Sequence, residues 1–294
     1  MDIVLGQLFA GVSQGSILLL IALGLALTFG QMGVINMAHG EFIMAGAYTA
    51  YVMEQVIGNA GISLLVAIPV GFAVGGLLGV ILEAGLIRRM YHRPLDTLLV
   101  TFGVSLILQQ LARDIFGAPN VEVGSPAWLQ GSVNILGVQL TSARVFILLL
   151  SVASVAALSA IVRFTSLGRR VRAVVQNREL AETVGVSTRA TDRLTFFIGS
   201  GLAGVAGVAL TLLGSTGPTL GTNYIVDAFL VVVVGGIGQI RGAVIAAFVL
   251  GLLQSIFQYT TTASMAKVLL FIAIVVFLQL RPQGIVTVRT RSLA

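Results

Sequence analysis

Nine apolar runs follow one another along the chain, at about residues 4–30, 37–57, 62–87, 97–116, 144–162, 194–214, 225–240, 242–260 and 264–280. A helix needs roughly 20 predominantly apolar residues to cross the hydrocarbon core of a bilayer. The pattern therefore predicts an all-α, polytopic membrane helix bundle of about nine transmembrane segments, in a range of roughly eight to ten. The seventh and eighth runs are short and meet at residues 235–242, where two spans, or one span and a re-entrant piece, both satisfy the pattern. One membrane domain accounts for residues 1–294. The chain starts apolar with no basic leader, the pattern of a retained span and not of a cleaved signal.

The sharpest interruption lies near the start. Within residues 34–42 an amide (Asn36), an imidazole (His39) and a carboxylate (Glu41) stand among apolar residues, flanked by Gly30, Gly33, Gly40 and Gly46. An ionisable group at membrane depth is costly and by default faces the bundle interior or a water-filled cavity. Irregular backbone is tolerated there only where protein buries it or a cavity is lined by it. The stretch reads as a helix break beside a pathway. Its alternative is a turn between two spans, with His39 and Glu41 wet at the interface.

Charge sets the orientation. Of the 17 Lys and Arg, only Arg113, Arg144 and Lys267 fall on one side of the alternating segments. The rest follow the third, fifth, seventh and ninth runs, among them Arg88, Arg89, Arg93, Arg163, Arg241, Arg281, Arg289 and Arg291. The positive-inside rule makes that side, and the C-terminus with it, cytoplasmic. Residues 117–143 form the longest outer loop, placed to cover a mouth or meet a partner, and residues 163–193 the longest inner one. In the inner loop Leu180, Val184 and Val186 lie among Arg178, Glu179, Glu182 and Arg189, the pattern of a short amphipathic cytoplasmic helix. Ala181, Val184, Gly185 and Val186 offer it a flat contact surface; a solvated linker is the plainer alternative.

Small residues recur every four positions at Gly71, Gly75 and Gly79 and at Gly199, Ala203 and Gly207, which predicts close helix contact. Residues 15–30 and 199–214 are Gly-rich spans, each followed by a polar break, Asn36 to Glu41 and Asn223 to Asp227. Paired breaks in two pseudo-repeat halves point to a central path at the repeat interface.

Composition removes most other classes. Apolar residues make up 57% and charged residues 10% of the chain, with 35 glycines in 294 residues; soluble domains carry about 25% charged residues. The net charge of +6 sits in short loops, so no nucleic-acid partner is expected. There is no Cys, His39 and His92 are the only His, and Lys267 is the only Lys. No zinc site, P-loop or G-x-S-x-G nucleophile can be assembled, and the chain is read as no enzyme and as needing no cofactor or metal. The polar groups able to line a path are Asn36, His39, Glu41, Tyr48, Gln109, Gln110, Asn223, Tyr224 and Asp227, or equally to act as interhelical glue. Glu54 and Glu83 lie near span ends, within reach of the interface. Few charges and many amides suit a small neutral solute better than an ion.

Residues 33–48, GVINMAHGEFIMAGAY, resemble the signature of membrane permeases of the branched-chain amino acid type of ABC importer. The similarity returns at residues 168–174 (GRRVRAV), 235–238 (GGIG) and 281–284 (RPQG). Within that family, residues 93–110, 116–123 and 223–229 are most similar to the urea-transporting branch. Asp96 and Phe102 stand where that branch has Glu and Trp. The resemblance implies a multi-pass permease of a bacterial inner membrane, in contact with lipid. It would pair as a heterodimer with a second homologous permease, two cytoplasmic ATP-binding subunits and an extracytoplasmic solute-binding protein. The expected solute is urea, with a branched-chain amino acid as the alternative. A stand-alone channel or proton-coupled carrier is the alternative from another class. The expected substrate pathway is Asn36, His39, Glu41, Gln109, Asn223, Tyr224 and Asp227. The resemblance also makes Arg178, Glu179, Ala181, Glu182, Gly185 and Val186 the coupling contact with an ATPase.

Overall fold

A computed structural model describes residues 2–286 except His92 and Leu136; Arg289 and Arg291, counted above on the basic side, lie outside the described residues. Among the described residues there are eleven α-helices: α1 (Asp2–Met32), α2 (His39–Ile57), α3 (Ala60–Gly85), α4 (Pro94–Phe116), α5 (Ser142–Phe164), α6 (Ser166–Gln176), α7 (Arg178–Thr183), α8 (Thr188–Leu210), α9 (Leu220–Gly235), α10 (Ile240–Thr260) and α11 (Ala263–Leu280). All nine apolar runs are helices. Among the described residues, however, seven are long and apolar enough to cross a membrane, not nine: α9 is too short, and α2, with polar residues such as His39, Glu41 and Glu54, is outside this set. Both helices begin beside another helix within the bundle.

At Gly33 the chain turns left-handed, with φ of 63°, and its N–H bonds the Phe29 carbonyl at 2.9 Å, a glycine stop for α1. The Asn36 side chain then accepts from the Ala38 N–H at 3.0 Å, an Asx turn that launches α2. The His39 ring lies against α1, its Nε2 3.4 Å from the Ile21 carbonyl. It is also beside Gly24, where an added Cβ would stand 3.2 Å from the imidazole. α1 runs on for two further turns, about 12 Å, beyond Gly24. Residues 33–38 therefore climb back beside α1, and α2 starts inside the bundle, not at its surface. Its start meets the start of α9: a Cβ on Gly40 would lie 2.6 Å from the Gly221 carbonyl oxygen.

The α3 stripe lies on α8, whereas the stripe predicted on α8 at Gly199, Ala203 and Gly207 turns to α1 and α2. Gly75 faces the Ser200 carbonyl, Gly71 faces Val208, and Gly204 packs on Gly71, while Gly199 meets Gly24 of α1 and Gly207 meets Ile43 of α2. α10 lies along α1 as α3 lies along α8, and α2 and α9 meet between them. The starts of α2 and α9 are thus in contact, but the break predicted at Asn223 to Asp227 is not one: those residues lie within the unbroken α9, and the irregular stretch comes before it, at residues 211–219. α1 and α8 form the buried centre, whereas α5 and α11 expose most of their surface.

One end of the bundle gathers the basic residues. There the short α6 and α7 pack against each other and α8. α6 buries Gly168, Val171 and Val174 and exposes Arg169, Arg170 and Arg172. The predicted amphipathic helix is shorter than its pattern: α7 stops at Thr183, because Gly185 adopts φ of 84°, so Val184 and Val186 lie beyond it. The opposite end carries an antiparallel hairpin, β1 (Ser132–Ile135) with β2 (Val138–Thr141), inside the loop that the apolar pattern leaves unassigned. The Glu54 carboxylate accepts from the Gly124 N–H at 3.0 Å, and Trp128 packs edge-on against Phe146 at 5.6 Å; both tie that loop to the bundle.

Candidate functional site

α4 is amphipathic in the sense opposite to a soluble helix. It buries Thr97, Thr101, Ser105, Gln109 and Ala112 and exposes Leu95, Leu99, Phe102, Leu106 and Ile107. Polar residues at i, i+4 and i+8 lie along one helix face, and here that face is laid on α2. The Thr101 hydroxyl accepts from the Met37 N–H at 3.0 Å. One turn on, Ser105 donates to Glu41 Oε1 at 2.8 Å. Gln109 Nε2 donates to the same oxygen at 2.9 Å and to the Thr222 hydroxyl of α9 at 2.9 Å. Glu41 is 1% exposed, and its Oε2 has no hydrogen-bond partner among the described residues. It sits in the first turn of α2, where the helix dipole favours negative charge.

Past Glu41 the seam turns apolar. Met44 and Ala112 are buried with Leu108, Phe116 and Val121 around them. The far end is closed by Tyr48 stacked on Phe116, ring centroids 4.2 Å apart and planes within 11°. The Tyr48 hydroxyl is buried and without a partner among the described residues.

Of the expected pathway residues, the structure brings Asn36, His39, Glu41 and Gln109 together at the start of α2, all buried. His39 bonds α1 and not Glu41, so among the described residues the carboxylate is held by Ser105 and Gln109 alone. On α9, Asn223 is exposed beside Thr222 and Tyr224 is half-buried. Asp227 turns away to pair with Lys267 of α11 at 3.6 Å. Ser105 and Thr222 carry no signal in an apolar run, where single hydroxyls are common. The i, i+4 spacing of Thr97, Thr101, Ser105 and Gln109 was the clue available.

A second polar cluster holds the basic end. Asp192 of α8 is fully buried and accepts from Arg178 of α7 and from Gln31 of α1 at 2.8 Å. The Arg178 guanidinium lies 4.8 Å above the Tyr91 ring, and Tyr91 donates to Glu83 Oε1 at 2.9 Å. Burial, with the Asp192 and Glu83 carboxylates adding to it, pushes the Tyr91 phenol far above its ordinary range, so it stays a neutral donor. Glu83 does not reach an interface, as its place near a span end suggests. It is fully buried, with Arg193 3.8 Å away. A cavity of about 440 Å³ opens beside this cluster, between Gln31, Tyr91 and Arg178.

The expected coupling residues divide. Ala181 is buried and seats α7, Arg178 is held inward by Asp192, and Glu182 accepts from Thr188. Glu179 and Gly185 are exposed and Val186 is half-buried. The apolar part of the outward surface is Leu180, 62% exposed, and Val184, 77% exposed.

A family model described as the permease component of the branched-chain amino acid transport system matches residues 7–278. The high-affinity branched-chain amino acid transport permease LivH of Salmonella typhimurium is 31% identical, covering 96% of this chain and 94% of its own length. The corresponding permease BraD of Pseudomonas aeruginosa is 29% identical over 96% of this chain and 95% of its own. The ribose import permease RbsC of Escherichia coli is 25% identical over 85% and 77%. No solved structure matches.

Proposed function

The chain belongs to the permease family of branched-chain amino acid ABC importers, and from that premise we propose that a branched-chain amino acid is its solute. The observation that carries the choice is the make-up of the seam. A buried carboxylate and amide, Glu41 and Gln109, adjoin an apolar step of buried Met44 and Ala112 and half-buried Leu108. A solute with a polar head and an aliphatic side chain uses both. Urea, the solute expected from three stretches of the sequence, is polar throughout and uses only the first. The names of the similar permeases favour the same choice.

The chain is one permease of a heterodimer in a bacterial inner membrane. One of the two ATP-binding subunits docks at the basic end on Glu179, Leu180, Glu182, Val184 and Gly185, and the two together carry out the ATP hydrolysis. A solute-binding protein delivers solute at the hairpin end. The basic end, with the C-terminus, is cytoplasmic, because Lys and Arg are retained on that side.

Uptake of labelled leucine and labelled urea by a strain carrying this chain and its partner subunits tests the proposal. Leucine uptake is expected to require the ATP-binding subunits and to exceed urea uptake by about tenfold or more, equivalent to ~1.4 kcal/mol. ATP-dependent urea uptake with none of leucine would reverse the assignment.

A further inference from the structure

We propose that Gln31 and Asp192 are the positioning residues through which an ATPase seated on α7 acts on the break between α1 and α2. The inference rests on the docking assigned to α7 above and adds the link on the permease side. Asp192 is fully buried, and its two carboxylate oxygens serve different helices. Oδ1 accepts from Gln31 Nε2 of α1 at 2.8 Å. Oδ2 accepts from the guanidinium of Arg178, the first residue of α7. One carboxylate on α8 thus ties α7 and α1 to the same point. Hydrogen bonds to an ionised group are the stronger kind, and a low local dielectric strengthens them further. Gln31 is buried as well, so the link lies inside this chain and not on a face left for another subunit.

The link stands where packing alone joins α7 to α1 poorly. α7 packs on α6 and α8, and the cavity of about 440 Å³ lies between its start and the end of α1, with Gln31, Tyr91 and Arg178 among its walls. The Asp192 carboxylate spans that gap. Deeper in the bundle α1 and α8 meet backbone to backbone, where a Cβ on Gly24 would run into the Gly199 carbonyl oxygen. Gln31 lies seven residues after Gly24, and Asp192 seven residues before Gly199. Each is two helical turns, about 10 Å, from the glycine contact. α1 and α8 therefore run antiparallel, with the glycines as the fulcrum and the Gln31–Asp192 bond at the free end. A displacement of Arg178 turns that end about the glycines. Past Gln31 only Met32 remains of α1 before Gly33 takes its left-handed turn and Asn36 opens the way into α2. Nothing lies within 4 Å of a Cβ on Gly33, so this corner has room to turn, and a shift of Gln31 is carried to the stretch that launches α2.

Gln31→Met tests the link, because it keeps the length of the side chain and removes the donor. Tyr91→Phe is the control. It removes the hydrogen bond to Glu83 but keeps the ring under Arg178 and leaves both Asp192 bonds in place. Each variant is assembled in proteoliposomes with the partner permease, the ATP-binding subunits and the solute-binding protein. ATP hydrolysis, thermal melting and uptake are measured, with labelled leucine or labelled urea according to which the wild type carries. Gln31→Met is expected to hydrolyse ATP within about twofold of the wild-type rate, while the ATP hydrolysed per solute carried rises by about threefold or more. Tyr91→Phe is expected to lower the melting temperature and leave that ratio unchanged. A structural role for Gln31 would lower the melting temperature and leave its ratio unchanged, and that result would overturn the link. A ratio raised equally in both variants would overturn the assignment to Gln31 and Asp192. The docking premise is judged separately with Val184→Cys, just past α7, in a chain without native Cys. The assembled ATP-binding subunits are expected to protect it from a maleimide. Free labelling in the assembled importer would defeat the docking reading, whereas protection with an unchanged Gln31→Met ratio would defeat only the link.

Discussion

Replacing Arg178 with Met is expected to cost about 3–5 kcal/mol of stability, because it leaves a buried charge without its partner. The charge is Asp192, fully buried at the head of α8, with Gln31 as its only other hydrogen-bond donor among the described residues. Arg178 also covers the Tyr91 ring and opens α7, so its loss frees the helix assigned to ATPase docking from α8 and from Tyr91. Thermal melting of the purified permease should fall steeply, and ATP-driven uptake should be nearly abolished. The double variant Arg178→Met/Asp192→Leu removes both charges and should recover much of the stability, since apolar replacement of a whole buried pair is often neutral or better. Uptake should recover less, because the tie between α7 and α8 is polar and directional. A single variant that melts within about 0.5 kcal/mol of wild type would show that the pair is not structural.

Adding one methyl group at Gly40 is expected to destabilise the bundle and disable transport together. The Cβ of Gly40→Ala would lie 2.6 Å from the Gly221 carbonyl oxygen, which is backbone and cannot swing aside. Over-packing of this kind costs typically ~1–3 kcal/mol. Relief requires the starts of α2 and α9 to part, which pulls Glu41 and Gln109 away from Thr222. Gly103→Ala is the control, since nothing lies within 4 Å of an added Cβ there. In mid-helix that substitution should gain roughly 0.5–1 kcal/mol. The two variants should therefore shift the melting temperature in opposite directions, and equal shifts would refute the close approach.

The break at residues 34–42 was legible because charge and amide inside a long apolar run are rare enough to stand out. So were the faces of α3 and α8, whose glycines recur at the helix period. What escaped was whatever joins distant residues. Gln31, Glu83, Tyr91, Arg178 and Asp192 form one cluster, yet no spacing relates them, and Glu83 read as a residue near a span end. Lys267 showed as a basic residue on the minority side, with nothing to tie it to Asp227. The apolar runs did not show where α2 and α9 start: both begin beside another helix within the bundle, and by length and composition neither joins the seven helices able to cross a membrane, α9 for its length and α2 for polar residues such as His39, Glu41 and Glu54. The basic loop hid α6, because its three buried positions, Gly168, Val171 and Val174, are spaced among arginines that dominate the composition.

That the start of α2 is the working part of this permease is tested most directly by ATP-driven leucine uptake through the assembled importer carrying Glu41→Gln or Glu41→Ala. The amide keeps the shape and one acceptor but loses the charge, so uptake is expected to fall with the subunits still assembled, and to fall further in Glu41→Ala, which also strands the Ser105 and Gln109 donors. Wild-type uptake by both variants would contradict the assignment and leave residues 34–42 as no more than a turn.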